Sequence, residues 1–177
     1  MKVDWKDIKI KDIAGLVCQK LKDKGIDTVL TGGACVTIYS NNKYISGDLD
    51  FVTYFNLKNI VPVLKALGLT KKGTRHFENP KCPFFIEFLA PPVSIGSLPV
   101  KKYARKKTKY GYLKLLTVED SIKDRLAAFY YWNDKQSLDQ AVMLAKDYKK
   151  KINFKSIRGW SKQENQIKKY KEFLSKI

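Results

Sequence analysis

The reading of this chain turns on Thr31-Gly32-Gly33-Ala34 and the later Ser46-Gly47-Asp48-Leu49-Asp50-Phe51. Upstream, Ile26-Asp27-Thr28-Val29-Leu30-Thr31 is a short apolar and β-branched run, which predicts a buried strand ending at two glycines. Glycines there let the backbone turn sharply and approach a ligand closely. Ala34-Cys35-Val36-Thr37-Ile38-Tyr39 then opens a helix, whose first N–H groups lack intrahelical partners and suit an anion such as a triphosphate. Asp48 to Tyr54 alternates like a strand, so Asp48 and Asp50 point to one face and Leu49 and Phe51 to the other.

Two carboxylates on one face call for a cation. Mg²⁺ suits them, because it takes hard oxygen ligands and is shared between one or two carboxylates and substrate phosphates. A third acid would complete a two-metal site, and the candidate is Glu87, the lone acid in the otherwise apolar run Phe84-Phe85-Ile86-Glu87-Phe88-Leu89. An unpaired buried carboxylate costs several kcal/mol or stays protonated, so Glu87 needs a partner.

The set Gly32-Gly33, Tyr39, Ser46 and Asp48-Leu49-Asp50-Phe51 resembles the nucleotidyltransferase superfamily and, within it, the AbiEii-like toxin group. The resemblance continues through Leu116 to Ala127 and Trp132 to Asp139, so it spans most of residues 26–145. It implies an α+β fold: a nucleotidyltransferase-like mixed β-sheet flanked by helices, followed by a C-terminal α-helical bundle. It also implies Asp48, Asp50 and Glu87 as catalytic metal ligands for Mg²⁺, with Mn²⁺ as the second candidate ion. Gly32, Gly33, Ser46 and Lys123 would bind the nucleotide, and the acids Asp134 and Asp139 fall at matching acidic positions. The reaction implied moves a nucleotide from an NTP to a hydroxyl, with an RNA such as tRNA as acceptor at its 3′ end. A role as the toxin of a toxin–antitoxin or abortive-infection system, with an antitoxin as partner, is part of the same expectation.

The chain departs from the pattern at two places. Many members carry Gly-Ser where this sequence has Gly32-Gly33, leaving Thr31 and Ser46 as the nearby hydroxyls. Tyr44, beside Lys43, stands where an arginine commonly precedes the motif serine. These departures keep open a second reading, a catalytically inactive nucleotidyltransferase-fold module that binds RNA. A third keeps the same chemistry and moves the nucleotide to a protein hydroxyl.

With 44% hydrophobic and 12% aromatic residues among 177, the sequence supports a packed core. It contains no run of about 18 apolar residues, and its first ten lack the apolar centre of a signal peptide. The expectation is a cytoplasmic protein without a membrane partner. Cys18, Cys35 and Cys82 are odd in number and widely spaced, which argues for reduced thiols. Cys35 sits near the expected triphosphate and reads either as a reactive thiolate or as a small buried hydrophobe. His76 is the only histidine, which excludes a multi-histidine metal centre and a Ser-His-Asp triad.

The formal net charge is +18. Residues 1–100 carry fourteen basic and nine acidic residues (+5), whereas residues 101–177 carry twenty-one and eight (+13). Such a field attracts polyanions. It is densest at Lys101, Lys102, Arg105, Lys106, Lys107 and Lys109, interleaved with Tyr103, Tyr110 and Tyr112. Tyrosines beside cations can stack on unpaired bases while the cations hold phosphate. The alternative is a solvated, mobile β-hairpin arm. Because the cluster follows the Glu87 strand, it is expected to lie near the site.

Periodicity sets the rest. Asp7 to Lys24 predicts an amphipathic helix stopped by Gly25, and Leu57 to Leu67 a second, with Pro62 as an alternative start. Thr117-Val118-Glu119-Asp120 is a helix start of capping-box type. Helices over 135–149 and 162–175 follow, which divides the chain into a nucleotidyltransferase core domain, 1–116, and a helical bundle domain, 117–177.

Overall fold

The structure, a computed structural model, describes residues 3–177; Met1 and Lys2, at the head of the expected core domain, lie outside the described residues. In chain order the elements are α1 (Ile10–Lys22), β1 (Val29–Thr31), α2 (Gly32–Tyr39), β2 (Asp48–Val52), α3 (Leu57–Ala66), β3 (Thr70–Lys72), β4 (His76–Glu78) and β5 (Phe85–Leu89). They continue as β6 (Ser94–Ile95), β7 (Leu98–Pro99), β8 (Tyr103–Thr108), β9 (Gly111–Leu116), α4 (Val118–Trp132), α5 (Lys135–Asp147), α6 (Phe154–Gln163) and α7 (Ile167–Leu174). Seven strands form one mixed sheet in the order β3-β4-β5-β2-β1-β9-β8, and β6 and β7 form a separate hairpin. β2 runs parallel to β5 and β1 parallel to β9; the other pairs are antiparallel.

Register assigns the two faces. Leu30 is level with Phe51 and Leu115, Leu49 with Ile86, and all five are fully buried on one face. Buried residues of α1 and α2, such as Ile13, Val17 and Val36, share a core with them. The opposite face carries Thr31, Asp48, Asp50 and Glu87, each the odd partner in the same alternation. Phe51 stacks on Phe88 at 5.9 Å beneath the carboxylates, so the strands that carry the acids are anchored by their own alternate residues.

Several expected boundaries move. The helix after β1 begins at Gly32, so the glycine pair is its first turn and not a loop before it. α3 starts at Leu57, where the Asn56 side chain accepts from the Lys58 N–H, and Pro62 lies inside the helix. Capping together with burial of Ile60 and Leu64 outweighs the proline there. The helix expected over 162–175 is α7, which starts only at Ile167; α6 lies before it where no helix was expected, and the two are separated at Glu164-Asn165-Gln166 with Asn165 at φ +57°. The tyrosine–lysine segment forms a true hairpin, β8–β9, that closes one edge of the main sheet.

The C-terminal helices carry strong local signals. Asp134 caps α5, accepting from the N–H groups of Gln136 and Ser137 and from the Ser137 hydroxyl at 2.6 Å. The Ser137 hydroxyl, with the two backbone donors, holds the Asp134 carboxyl below its usual value against the opposing effect of burial. Asp134→Ala is expected to cost about 1 kcal/mol. Because the folded value is depressed, that loss should be full above pH ~4 and shrink as pH falls through the folded value, as urea melts across pH would show.

Candidate active site

β2 holds Asp48 and Asp50 two residues apart, and the parallel register with β5 sets Glu87 directly beside Asp50. On the other flank Asp50 is level with Thr31, the last residue of β1 before α2. Three carboxylates therefore share one sheet face at the point where a helix begins. The Asp50 carboxyl is pushed up to about 7, first by burial, then by the negative charges of Asp48 and Glu87. Arg125 opposes that rise and Asp124 adds to it. A carboxylate cluster of this kind is electrostatically incomplete.

Gly32 explains how closely the helix approaches. Its φ is +67°, and a Cβ built on it would run into the Asp50 carboxylate. Only glycine meets both demands. Gly32→Ala is expected to cost about 1–2 kcal/mol in backbone strain alone, read as a lowered midpoint in thermal melts, and to displace Asp50. At the next position, a Cβ on Gly33 would stand 2.8 Å from Ser46 Oγ and 3.4 Å from the Tyr44 hydroxyl. The Ser46 hydroxyl thus occupies the place where a side chain at residue 33 would project. It donates to Asp48 Oδ1 at 2.5 Å, and the Ser46 N–H donates to Thr37 Oγ1 at 2.9 Å, which ties the loop to α2.

The carboxylates fit a divalent cation by chemistry. They are hard oxygen donors, mutually repelling, beside the start of α2, whose first N–H groups have no intrahelical partner. Among the described residues no three acidic, histidine or cysteine side chains gather tightly enough to hold an ion by themselves. Mg²⁺ does not need such a cage, because it keeps waters and takes substrate phosphate oxygens as ligands.

Two solved structures share this architecture. An antigenic nucleotidyltransferase-like protein from Paracoccidioides brasiliensis is 12% identical, with a TM-score of 0.62 over 95% of this chain and 94% of that one. The antibiotic-resistance factor ANT(2'')-Ia is 8% identical, with a TM-score of 0.52 over 94% of this chain and 92% of its own. The fold is nucleotidyltransferase-like. No protein-family model and no curated protein matches the sequence.

Within this nucleotidyltransferase-like fold the cation whose charge opposes the rise of the Asp50 carboxyl is Arg125. Its guanidinium bonds Asp124 through Nε at 3.1 Å and Nη2 at 2.6 Å. Lys123 points elsewhere. Its ammonium lies 3.1 Å from Glu119 Oε1, 3.7 Å from Asp120 Oδ1 and 3.1 Å from Ser156 Oγ. The structure does not bring Lys123 to the carboxylates; successive helix residues turn by about 100°, so Lys123 and Arg125 face apart. The pair Asp124-Arg125 escaped sequence reading, although its spacing from Ser121 on the buried stripe was a usable signal.

The basic cluster divides among several places. Tyr103, Arg105 and Lys107 share the carboxylate face with Lys114 and Tyr112, and Lys106 lies on the other, its Nζ 4.7 Å from the Tyr39 ring centre. β8 is three strands from β2, about 14 Å at ordinary strand spacing, so the cluster does not adjoin the acids as its place in sequence suggested. Lys101 and Lys102 precede β8 and line a separate cleft, and Lys109 sits at the hairpin turn. Cys35 is fully buried, its Sγ donating to the Leu30 carbonyl at 3.3 Å, and burial pushes its thiol far up. It is a core residue. Among the described residues no helix is long and apolar enough to cross a membrane.

Proposed function

We propose that this protein transfers a nucleotide from an NTP to a hydroxyl acceptor, using Asp48, Asp50 and Glu87 with Mg²⁺ or Mn²⁺. The observation that supports it most is the placement of the three acids on one sheet face against the glycine-started helix α2. A divalent ion held there would neutralise triphosphate charge and lower the pKa of an attacking hydroxyl. Gly32 and Gly33 offer N–H groups to the phosphates, Ser46 fixes the Asp48 carboxylate, and Arg125 offsets negative charge. The acceptor hydroxyl oxygen would bond to the α-phosphorus as the α–β phosphoanhydride bond breaks, with pyrophosphate as the leaving group and the hydroxyl proton released to water.

An RNA 3′ end fits as acceptor. On the carboxylate face, Arg105 Cζ lies 5.2 Å from the Tyr112 ring centre, and Lys114 Nζ, which is also ion-paired to Asp27, lies 4.7 Å from that of Tyr103. Such cation–aromatic pairs hold phosphate and offer faces for unpaired bases. If the likeness to AbiEii-like toxins extends to biology, expression arrests growth and an antitoxin partner relieves it.

The test is incubation with Mg²⁺, each α-³²P-labelled NTP and total RNA, beside an Asp48→Ala/Asp50→Ala control. RNA labelled by the wild type alone supports the reading and identifies the base. RNA binding without label from any NTP, in Mg²⁺ or Mn²⁺, would favour an inactive RNA-binding module; label on protein would move the acceptor to a side-chain hydroxyl.

A further inference from the structure

A large cavity lies on the far side of α4 from the carboxylates. It is a cleft of about 820 Å³ between the β6–β7 hairpin, the strand-entry segment at Val100 to Lys102, the first turns of α4 and one side of α6. It is separate from the acid site yet shares its wall: Ser94, Leu116 and Asp124 line the space beside Thr31, and their neighbours Ile95, Thr117 and Lys123 line the cleft.

The lining has two characters. One wall is apolar and includes Leu98, left 40% exposed, and Trp160, which is buried at 5% exposed. Trp160 is fixed in place, with Tyr130 stacked at 5.4 Å and its Nε1 donating to the Ile95 carbonyl. The other wall is cationic, with Lys101, Lys102, Lys123 and Lys151 against only Glu119 and Asp120. Those two acids are already engaged. Glu119 accepts from Lys123, from Ser156 Oγ at 2.7 Å and from the Asn153 N–H at 3.0 Å, and Asp120 accepts from Thr117 Oγ1 at 2.9 Å.

Lys101, Lys102 and Lys151 make no ion pair among the described residues. At the mouth the amides of Val118 and Glu119, the first two of α4, have no intrahelical acceptor. Lys151 extends the field, since it stands near Lys106 and Lys11, and burial with these cations lowers the Lys106 ammonium. Gly159 also lines the cleft. A Cβ there would meet nothing within 4 Å, although glycine inside a helix costs about 0.5–1 kcal/mol relative to alanine.

We propose that this cleft is a second ligand site, independent of the carboxylates, that binds a mononucleotide with its base against the Trp160 wall and its phosphate among Lys101, Lys102 and Lys151. The volume falls within the range of small-molecule pockets, and the pairing of an apolar aromatic wall with unpaired cations suits an aromatic ring carrying phosphate. A free mononucleotide and the terminal residue of an RNA present the same chemistry to this site.

The test uses Trp5→Phe/Trp132→Phe protein, which leaves Trp160 as the sole indole, in EDTA so that no metal-bound triphosphate contributes. AMP, GMP, CMP, UMP, inorganic phosphate and a short oligoribonucleotide are titrated in turn. Saturable change of Trp160 fluorescence by at least one mononucleotide is expected, retained with Asp48→Ala/Asp50→Ala, and weakened about tenfold or more by Gly159→Leu and by Lys101→Glu/Lys151→Glu. Tighter binding of the oligoribonucleotide, equally sensitive to Gly159→Leu, would assign the site to an RNA terminus; a mononucleotide bound as tightly would assign it to free nucleotide. No response to any nucleotide, or responses indifferent to both the filling and the charge variants, would overturn the proposal. Retention in the Asp48→Ala/Asp50→Ala protein separates this outcome from failure of the transfer chemistry.

Discussion

Asp50→Asn is expected to make the protein more stable at pH 8 while lowering the proposed nucleotide transfer roughly 10³-fold, because charge stabilisation by a metal held there would be worth several kcal/mol and each 1.36 kcal/mol is tenfold in rate. The stability effect follows from the direction of the Asp50 shift. Its carboxyl is raised to about 7 in the folded protein by burial and by Asp48 and Glu87, against about 3.9 in an unfolded chain. Between these values the folded state binds more protons than the unfolded state, so stability falls as pH rises from about 4 to about 7. The full penalty is present above that window and is on the order of 4 kcal/mol, an upper figure because the group keeps some contact with water. Asparagine removes the charge and with it the slope. Urea melts at pH 5 and pH 8 would check this: the variant should gain the full amount at pH 8 and only about 1.5 kcal/mol at pH 5, where the wild type is about one pH unit into the window. Mg²⁺ should raise the wild-type midpoint and leave that of Asp50→Asn nearly unmoved. A variant less stable than wild type at both pH values would mean that Asp50 is already satisfied in the fold.

The same residues show what sequence could and could not reveal. Alternation in Asp48-Leu49-Asp50-Phe51 places the acids on one face without any tertiary knowledge, because strand periodicity is a local property. That Glu87 joins Asp50 was expected only from its oddity in an apolar strand; the parallel pairing that makes them neighbours is non-local, between strands separated by α3, β3 and β4. The lysine-rich segment misled for the same reason. It follows the Glu87 strand in sequence, but the sheet order sends β8 to the opposite edge, and alternation then splits Arg105 and Lys107 from Lys106. Composition locates charge along the chain and cannot say which face it serves. Lys123 and Arg125 differ by only two positions, and a rotation of the helix decides which one opposes the rise of the Asp50 carboxyl.

That rotation leads to the second large effect. Arg125→Met is expected to destabilise the protein by about 3 kcal/mol at pH 8 and to slow transfer about 10²-fold. Arg125 and Asp124 are 19% and 24% exposed and bonded through two guanidinium nitrogens, so truncating the arginine leaves a largely buried carboxylate without its partner. Breaking a fully buried pair in this way costs 3–5 kcal/mol, and partial exposure puts this one at the lower end. The loss reaches further than the pair. Arg125 is the cation that opposes the rise of the Asp50 carboxyl, so its removal should push Asp50 higher still and extend the falling limb of stability to more alkaline pH. Arg125→Lys keeps the charge but not the planar two-nitrogen contact, and should recover part of the stability and little of the rate. Melts across pH 5–9 with transfer rates for both variants would decide it. Arg125→Met with wild-type stability at pH 8 and an unmoved pH profile would show that Asp124 and Asp50 find their compensation elsewhere.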